Sequence, residues 1–184
     1  MAVDFTRYEI YQPLLPKPAE ELSRKQAQAE FDQLMAVKDY RIEQLRRVLA
    51  EDGVVLADDH EAINAVNEWF ISVAEPSPTE PGWIRGRTIS LGVDISLHLG
   101  DVLIRRYPHL YWGLVTDGNK RMVSYHEPAV FGFPFPELKY DMFVDFKMMV
   151  LSEGAGAASG FARHGEFNRF MSIQEALARG EKSW

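Results

Sequence analysis

There is no cysteine among the 184 residues. That absence removes disulfides, thiolate zinc sites, iron–sulfur clusters and cysteine nucleophiles together, and it suits a reducing compartment. Long apolar runs are missing as well. The purest, such as Val54–Ala57 and Met148–Leu151, are four residues long, whereas a bilayer span needs about 20. The opening residues hold neither a basic stretch nor an apolar core, so a secretory signal is not expected. Positive charge is scarce: 20 Lys and Arg stand against 27 Asp and Glu, a formal net charge of −7. The basic clusters Arg46–Arg47, Arg85/Arg87 and Arg105–Arg106 read as solvated faces, not as a stripe for a phosphate backbone. The expected setting is therefore cytoplasmic, with neither membrane nor nucleic acid as a partner.

The residues present describe an α+β domain spanning 1–184, with three to four helices packed on a small antiparallel sheet of two to four strands. Residues 1–17 form an extended arm, since Pro13, Pro16 and Pro18 exclude regular structure nearby. Pro18 suits a first helical turn, with Glu20 and Glu21 at its positive end. Apolar spacing through Phe31, Leu34, Ile42, Leu45 and Val48 predicts helix to about Glu51, one long or two short, stopped by Gly53. Asp58 and Glu61 resemble a capping box for a second helix with Ile63, Val66, Phe70 and Val73 buried. A Pro-rich loop covers 75–87.

The third helix, about Thr88–Arg106, is apolar around most of its circumference, which predicts a central place in the core. Beyond Pro108, Leu110–Thr116 and Met122–His126 read as an antiparallel pair turning at Asp117-Gly118-Asn119, with Ala129–Phe133 as a third strand. Tyr140–Leu151 is read as helix, although its alternation also fits a strand. Residues 153–160 are a Gly-rich loop, and Ser172-Ile173-Gln174-Glu175 is a capping box opening a short last helix that ends near Gly180.

Candidate chemistry gathers in few places. Asp94, His98 and Asp101, at i, i+4 and i+7 of the third helix, share a face with Ser90 and Arg105 and would suit a divalent metal or acid–base work. The plainer reading pairs Asp94 with His98 and Asp101 with Arg105 along the helix, and no further ligand with motif spacing appears. His126 and Glu127 sit at a strand end, outside any zinc-hydrolase or deaminase motif. The Gly154–Gly160 segment lacks the Gly-Lys-Ser/Thr of a phosphate loop, and Ser159 lacks the glycines of a nucleophile elbow.

Ten aromatic residues fall within 107–146. Of these, Phe131, Phe133 and Phe135, with Trp112, are candidate binding residues. The Phe/Pro segment reads first as a plug over the core and second as a docking surface. No cofactor fingerprint and no metal motif is present. Two functions follow: a non-catalytic binding or protein-interaction module of immunity or adaptor type, whose partner is a protein or a second copy of the chain, or a small metal-dependent or acid–base hydrolase using Asp94, His98 and Asp101.

Overall fold

The computed structural model describes residues 5, 7–117, 120–138 and 141–181. Among these, five α-helices and one antiparallel sheet of three strands give the α+β architecture expected. The helices are α1 (Arg24–Glu51), α2 (His60–Val73), α3 (Gly86–Arg106), α4 (Phe146–Ala158) and α5 (Glu166–Ala178); the strands are β1 (Tyr111–Leu114), β2 (Pro128–Phe131) and β3 (Phe143–Val144), in that order across the sheet. No helix of the described residues is long and apolar enough to cross a membrane.

Local chemistry sets most boundaries. Helix α1 is continuous through Lys38-Asp39 and begins at a capping box: Ser23 Oγ accepts from Gln26 N and Gln26 Oε1 accepts from Ser23 N. Pro18 opens only a 3₁₀ turn, Ala19–Glu21, so the expected helix start lies six residues early. At the other end Gly53 takes φ 74°, the left-handed stop that glycine adopts without penalty. Helix α2 is capped by Asp59, whose carboxylate accepts from Ala62 N; Asp58, the expected cap, pairs with Arg105 instead. The loop ahead of α3 is closed by a bridge between Pro76 and Ile84 and by Glu75, which takes Arg85 and Arg87 at 2.7 and 2.6 Å.

Further expectations are corrected. The return strand is Pro128–Phe131, not Met122–His126; Pro128 opens the strand, where its missing N–H costs no ladder bond. Tyr140 and the Gly118-Asn119 turn lie outside the described residues, and the rest of Tyr140–Leu151 divides into both alternatives. Strand β3 ends where Asp145 caps α4 by accepting from Met148 N at 2.9 Å. Residues 153–158 are helical, not loop. Alanine supplies the propensity there, and Gly154 meets the Phe70 ring, which an added Cβ would approach to 2.9 Å. The last helix starts at Glu166, ahead of Ser172, because side chains of α2 cap it: Gly165 N donates to Glu68 Oε1 and Phe167 N to Asn67 Oδ1.

Helix α3 is the hub. It packs against α1, α4 and α5, while α2 packs on α4 and α5, and the sheet meets α1 and α4. One apolar cluster joins Leu45 and Leu49 of α1, Ile63 and Phe70 of α2, Leu91, Ile95, Leu99 and Leu103 of α3, Val130 of β2, Phe146 of α4 and Phe167 and Met171 of α5. Neighbours approach α3 closely through Gly92, under Leu151, and Gly100, under the indole of Trp112. A Cβ on Gly100 would lie 2.2 Å from that ring, whose Nε1 is tethered to Asp101. The Gly100→Ala variant is expected to lose about 1–2 kcal/mol in urea unfolding, because overpacking outweighs the helix propensity gained. An unchanged or raised midpoint would show that the indole moves aside freely.

Candidate functional site

Most of the polar face of α3 is withdrawn from solvent. Asp94 is wholly buried, as are Ser90 and His98. The partner of Asp94 is Arg41 of α1, also buried: Arg41 Nε donates to Asp94 Oδ1 at 2.8 Å and an Arg41 terminal nitrogen donates to Oδ2 at 2.7 Å, a two-pronged pair. The same guanidinium reaches the Tyr8 hydroxyl (2.9 Å), Ser90 Oγ (3.1 Å) and the backbone oxygen of Glu9 (2.6 Å).

Burial drives the Tyr8 hydroxyl well above the usual phenol range, so it stays protonated and donates to Asp94 Oδ2 at 2.5 Å. Burial also pushes the Asp94 carboxyl up, to about 6, against the downward pull of Arg41 and Tyr8. Asp94 is therefore ionised at neutral pH and each of its oxygens has a donor. Tyr11 N donates to Ser90 Oγ at 2.7 Å, so the network fastens the N-terminal arm across α1 and α3.

The remaining residues of this face go to separate partners. His98 donates from Nε2 to Ala57 O at 3.3 Å, and burial lowers its imidazole to about 4. Asp101 takes Lys38 on one oxygen and Trp112 Nε1, at 2.8 Å, on the other. Arg105 forms a two-pronged pair with Asp58. Asp94, His98 and Asp101 thus do not converge, and the helical pairs Asp94–His98 and Asp101–Arg105 are replaced by cross-element contacts. Among the described residues no three His, Asp or Glu side chains are grouped to hold a metal ion.

The docking candidates are likewise committed inward. Phe133 and Phe135 are buried in the main core, and Phe131 is half-buried between Tyr111 and Phe143. Trp112 lies over Gly100. The Phe/Pro segment is a plug, because the sheet and helices leave its rings an apolar space to fill.

Beneath the arm lies a cleft of about 410 Å³, within the size range of small-molecule sites. Its walls are Ile10–Pro13, Leu15 and Lys17 of the arm, Pro18, Ala19 and Leu22 in the turn that follows it, Glu30, Phe31 and Leu34 of α1, Ile89, Ser90 and Val93 of α3, and His126, Glu127, Pro128 and Lys147. Glu30 accepts from Leu14 N and Leu15 N at 3.0 and 2.6 Å, and Glu127 accepts from Lys147 at 2.7 Å. Tyr11 is pushed up to about 12, by burial first and the Glu30 charge second.

Among the described non-glycine residues only His126 has positive φ, 64°, a conformation costing on the order of 1 kcal/mol. It is held there by its N–H to Val115 O, by Nδ1 to Ala19 O at 3.2 Å and by stacking on Tyr125 at 3.9 Å. Its Nε2 is buried without a hydrogen-bond partner.

Of the residues singled out in sequence, the cleft gathers His126 and Glu127 and excludes Asp94, His98 and Asp101. Sequence reasoning missed Tyr8, Arg41, Glu30 and Lys147. Arg41 carried a readable signal: it falls on the buried stripe of Leu34, Leu45 and Val48 at spacings of seven, four and three, and a charge on such a stripe requires a partner.

Removing either member of the Arg41–Asp94 pair strands the other charge, so Asp94→Ala is expected to cost about 3–5 kcal/mol. In urea unfolding the double variant Arg41→Met/Asp94→Leu should recover at least half of that; equal loss in both would show that the charge itself is not what matters. For His98 the folded imidazole is depressed below its unfolded value of about 6.5. Its neutral burial therefore stabilises fully above pH 6.5 and is lost as pH falls toward 4. The cost of His98→Gln, relative to the parent, should shrink on the order of 3 kcal/mol between pH 7 and pH 4; a cost constant with pH would contradict the burial argument.

A comparison with protein-family models, with curated proteins and with solved structures finds no match.

Proposed function

We propose that this chain is a non-catalytic binding module whose ligand site is the cleft roofed by the N-terminal arm. The observation that carries the reading is the contrast within the cleft: a mostly apolar space of about 410 Å³ whose internal carboxylates, Glu30 and Glu127, already have donors. A binding site presents apolar walls and few orienting polar groups. A hydrolase built on Asp94, His98 and Asp101 would need those groups free and convergent, and each is bonded to a different element. An adaptor surface on the Phe/Pro segment would need exposed rings, and Phe133 and Phe135 are buried. Interaction with another protein, on this reading, would follow from the arm that covers the cleft.

A small-molecule fragment screen read by methyl NMR tests the proposal. Binders should shift the methyl signals of Leu22, Leu34, Ile89 and Val93 together, and Ile89→Trp, which fills the space from its half-exposed wall, should weaken them at least tenfold. Shifts scattered over other surfaces, or binding indifferent to Ile89→Trp, would overturn the cleft as the site.

A further inference from the structure

On the reading that the cleft is the ligand site, its charges bear on what it takes. Lys17, Glu30, Glu127 and Lys147 line it. Glu127 pairs with Lys147 at 2.7 Å, and Glu30 accepts from two backbone N–H groups of the arm. Lys17 is the exception: its ammonium has no partner among the described residues. Its backbone is nevertheless fixed from both sides. Pro16 and Pro18 flank it with restricted φ, and Lys17 N donates to Leu15 O at 2.9 Å. Leu15 N is in turn held by Glu30, and Ala19 O by His126. The Cα of Lys17 is therefore anchored at the cleft, while its exposed four-carbon chain is free to bring the charge over the mouth. The opposite sign prevails around Tyr11, where burial and then the Glu30 charge push the hydroxyl up to about 12. An anion beside Tyr11 would meet that charge, whereas one beside Lys17 meets the unmatched cation.

We infer that the cleft binds an apolar molecule with a single carboxylate, its body against Leu34, Ile89 and Val93 and its head beside the Lys17 ammonium at the exposed rim. The head keeps much of its water there, so binding avoids the cost of burying a charge. Selectivity over a neutral analogue is accordingly modest and is screened by salt. A dianion would leave charge unmatched near Glu30 and Glu127, and a cation would meet like charge at Lys17.

Three naphthalenes of nearly equal shape test this on the whole protein in low salt at pH 7, where carboxylate and ammonium groups are charged: 2-naphthoate, 2-naphthamide and 2-naphthylmethylammonium. The 2-naphthoate should bind about 2- to 5-fold more tightly than 2-naphthamide, the effect of one exposed ion pair. The preference should disappear in about 1 M NaCl, where the screening length is about 3 Å. It should disappear equally in Lys17→Gln, with the affinity for 2-naphthamide unchanged, and persist in Lys17→Arg.

If 2-naphthoate binds no more tightly than 2-naphthamide while both shift the Ile89 and Val93 methyls, this inference is overturned and the cleft stays as the site. A preference for 2-naphthoate that survives in Lys17→Gln overturns the role of Lys17 and the inference with it. Tightest binding of the ammonium compound overturns it in favour of recognition by Glu30 or Glu127. If none of the three shifts those methyls, the cleft reading falls and the inference falls with it.

Discussion

Two ionised groups withdrawn from water cost several kcal/mol each unless their polar atoms find partners, and in the contact between Arg41 and Asp94 each carboxylate oxygen and each guanidinium nitrogen has one. Asp94 receives two guanidinium nitrogens and a phenol; Arg41 also reaches the Tyr8 and Ser90 hydroxyls and the Glu9 carbonyl. The geometry needs α1, α3 and the arm in one arrangement. With α1 and α3 locked side by side, the arm has no freedom to slide, and the space between its prolines and the two helices stays open as a cleft. An apolar pair would hold the helices together equally well; it would not specify where Tyr8 and Glu9 lie.

The cleft is built from what the network leaves over. Glu30 fixes the Leu14–Leu15 backbone, Ser90 fixes Tyr11, and His126 fixes Ala19. Each of these tethers meets a backbone group of the arm or of the turn that follows it, and they add to the hold of the buried Tyr8 side chain. The ring of His126 is the one member whose second nitrogen finds no partner inside the protein, and that asymmetry separates it from the structural tethers.

Much of the fold was readable because its causes are local. Gly53 ends α1, and the apolar stripe of Ile63, Val66 and Phe70 lies in the core. The all-round apolar character of α3 matches its central position. The capping box at Ser23 was equally local and was overlooked beside the prolines.

What failed had causes elsewhere in the chain. Glycines at 154 and 156 look like a loop until the Phe70 ring arrives to explain the first of them. The site was less readable than the fold. Asp94 was visible as an acid on an apolar helix, but its partner lies 53 positions earlier, where nothing in the spacing on α3 points. His126 and Glu127 were visible only as a strand end; the wall opposite them belongs to an arm whose course depends on Arg41.

Helix α5 has a consequence of a different kind. Its first turn contains no capping side chain of its own: Gly165 opens it, and its leading N–H groups are satisfied by Glu68 and Asn67 of α2. Thirteen residues are marginal as an isolated helix, so α5 gains its start only once α2 is in place. Folding of the C-terminal segment is thus made conditional on an element about 100 residues earlier in the chain. The last helix is therefore a report on whether α2 is in place beside it.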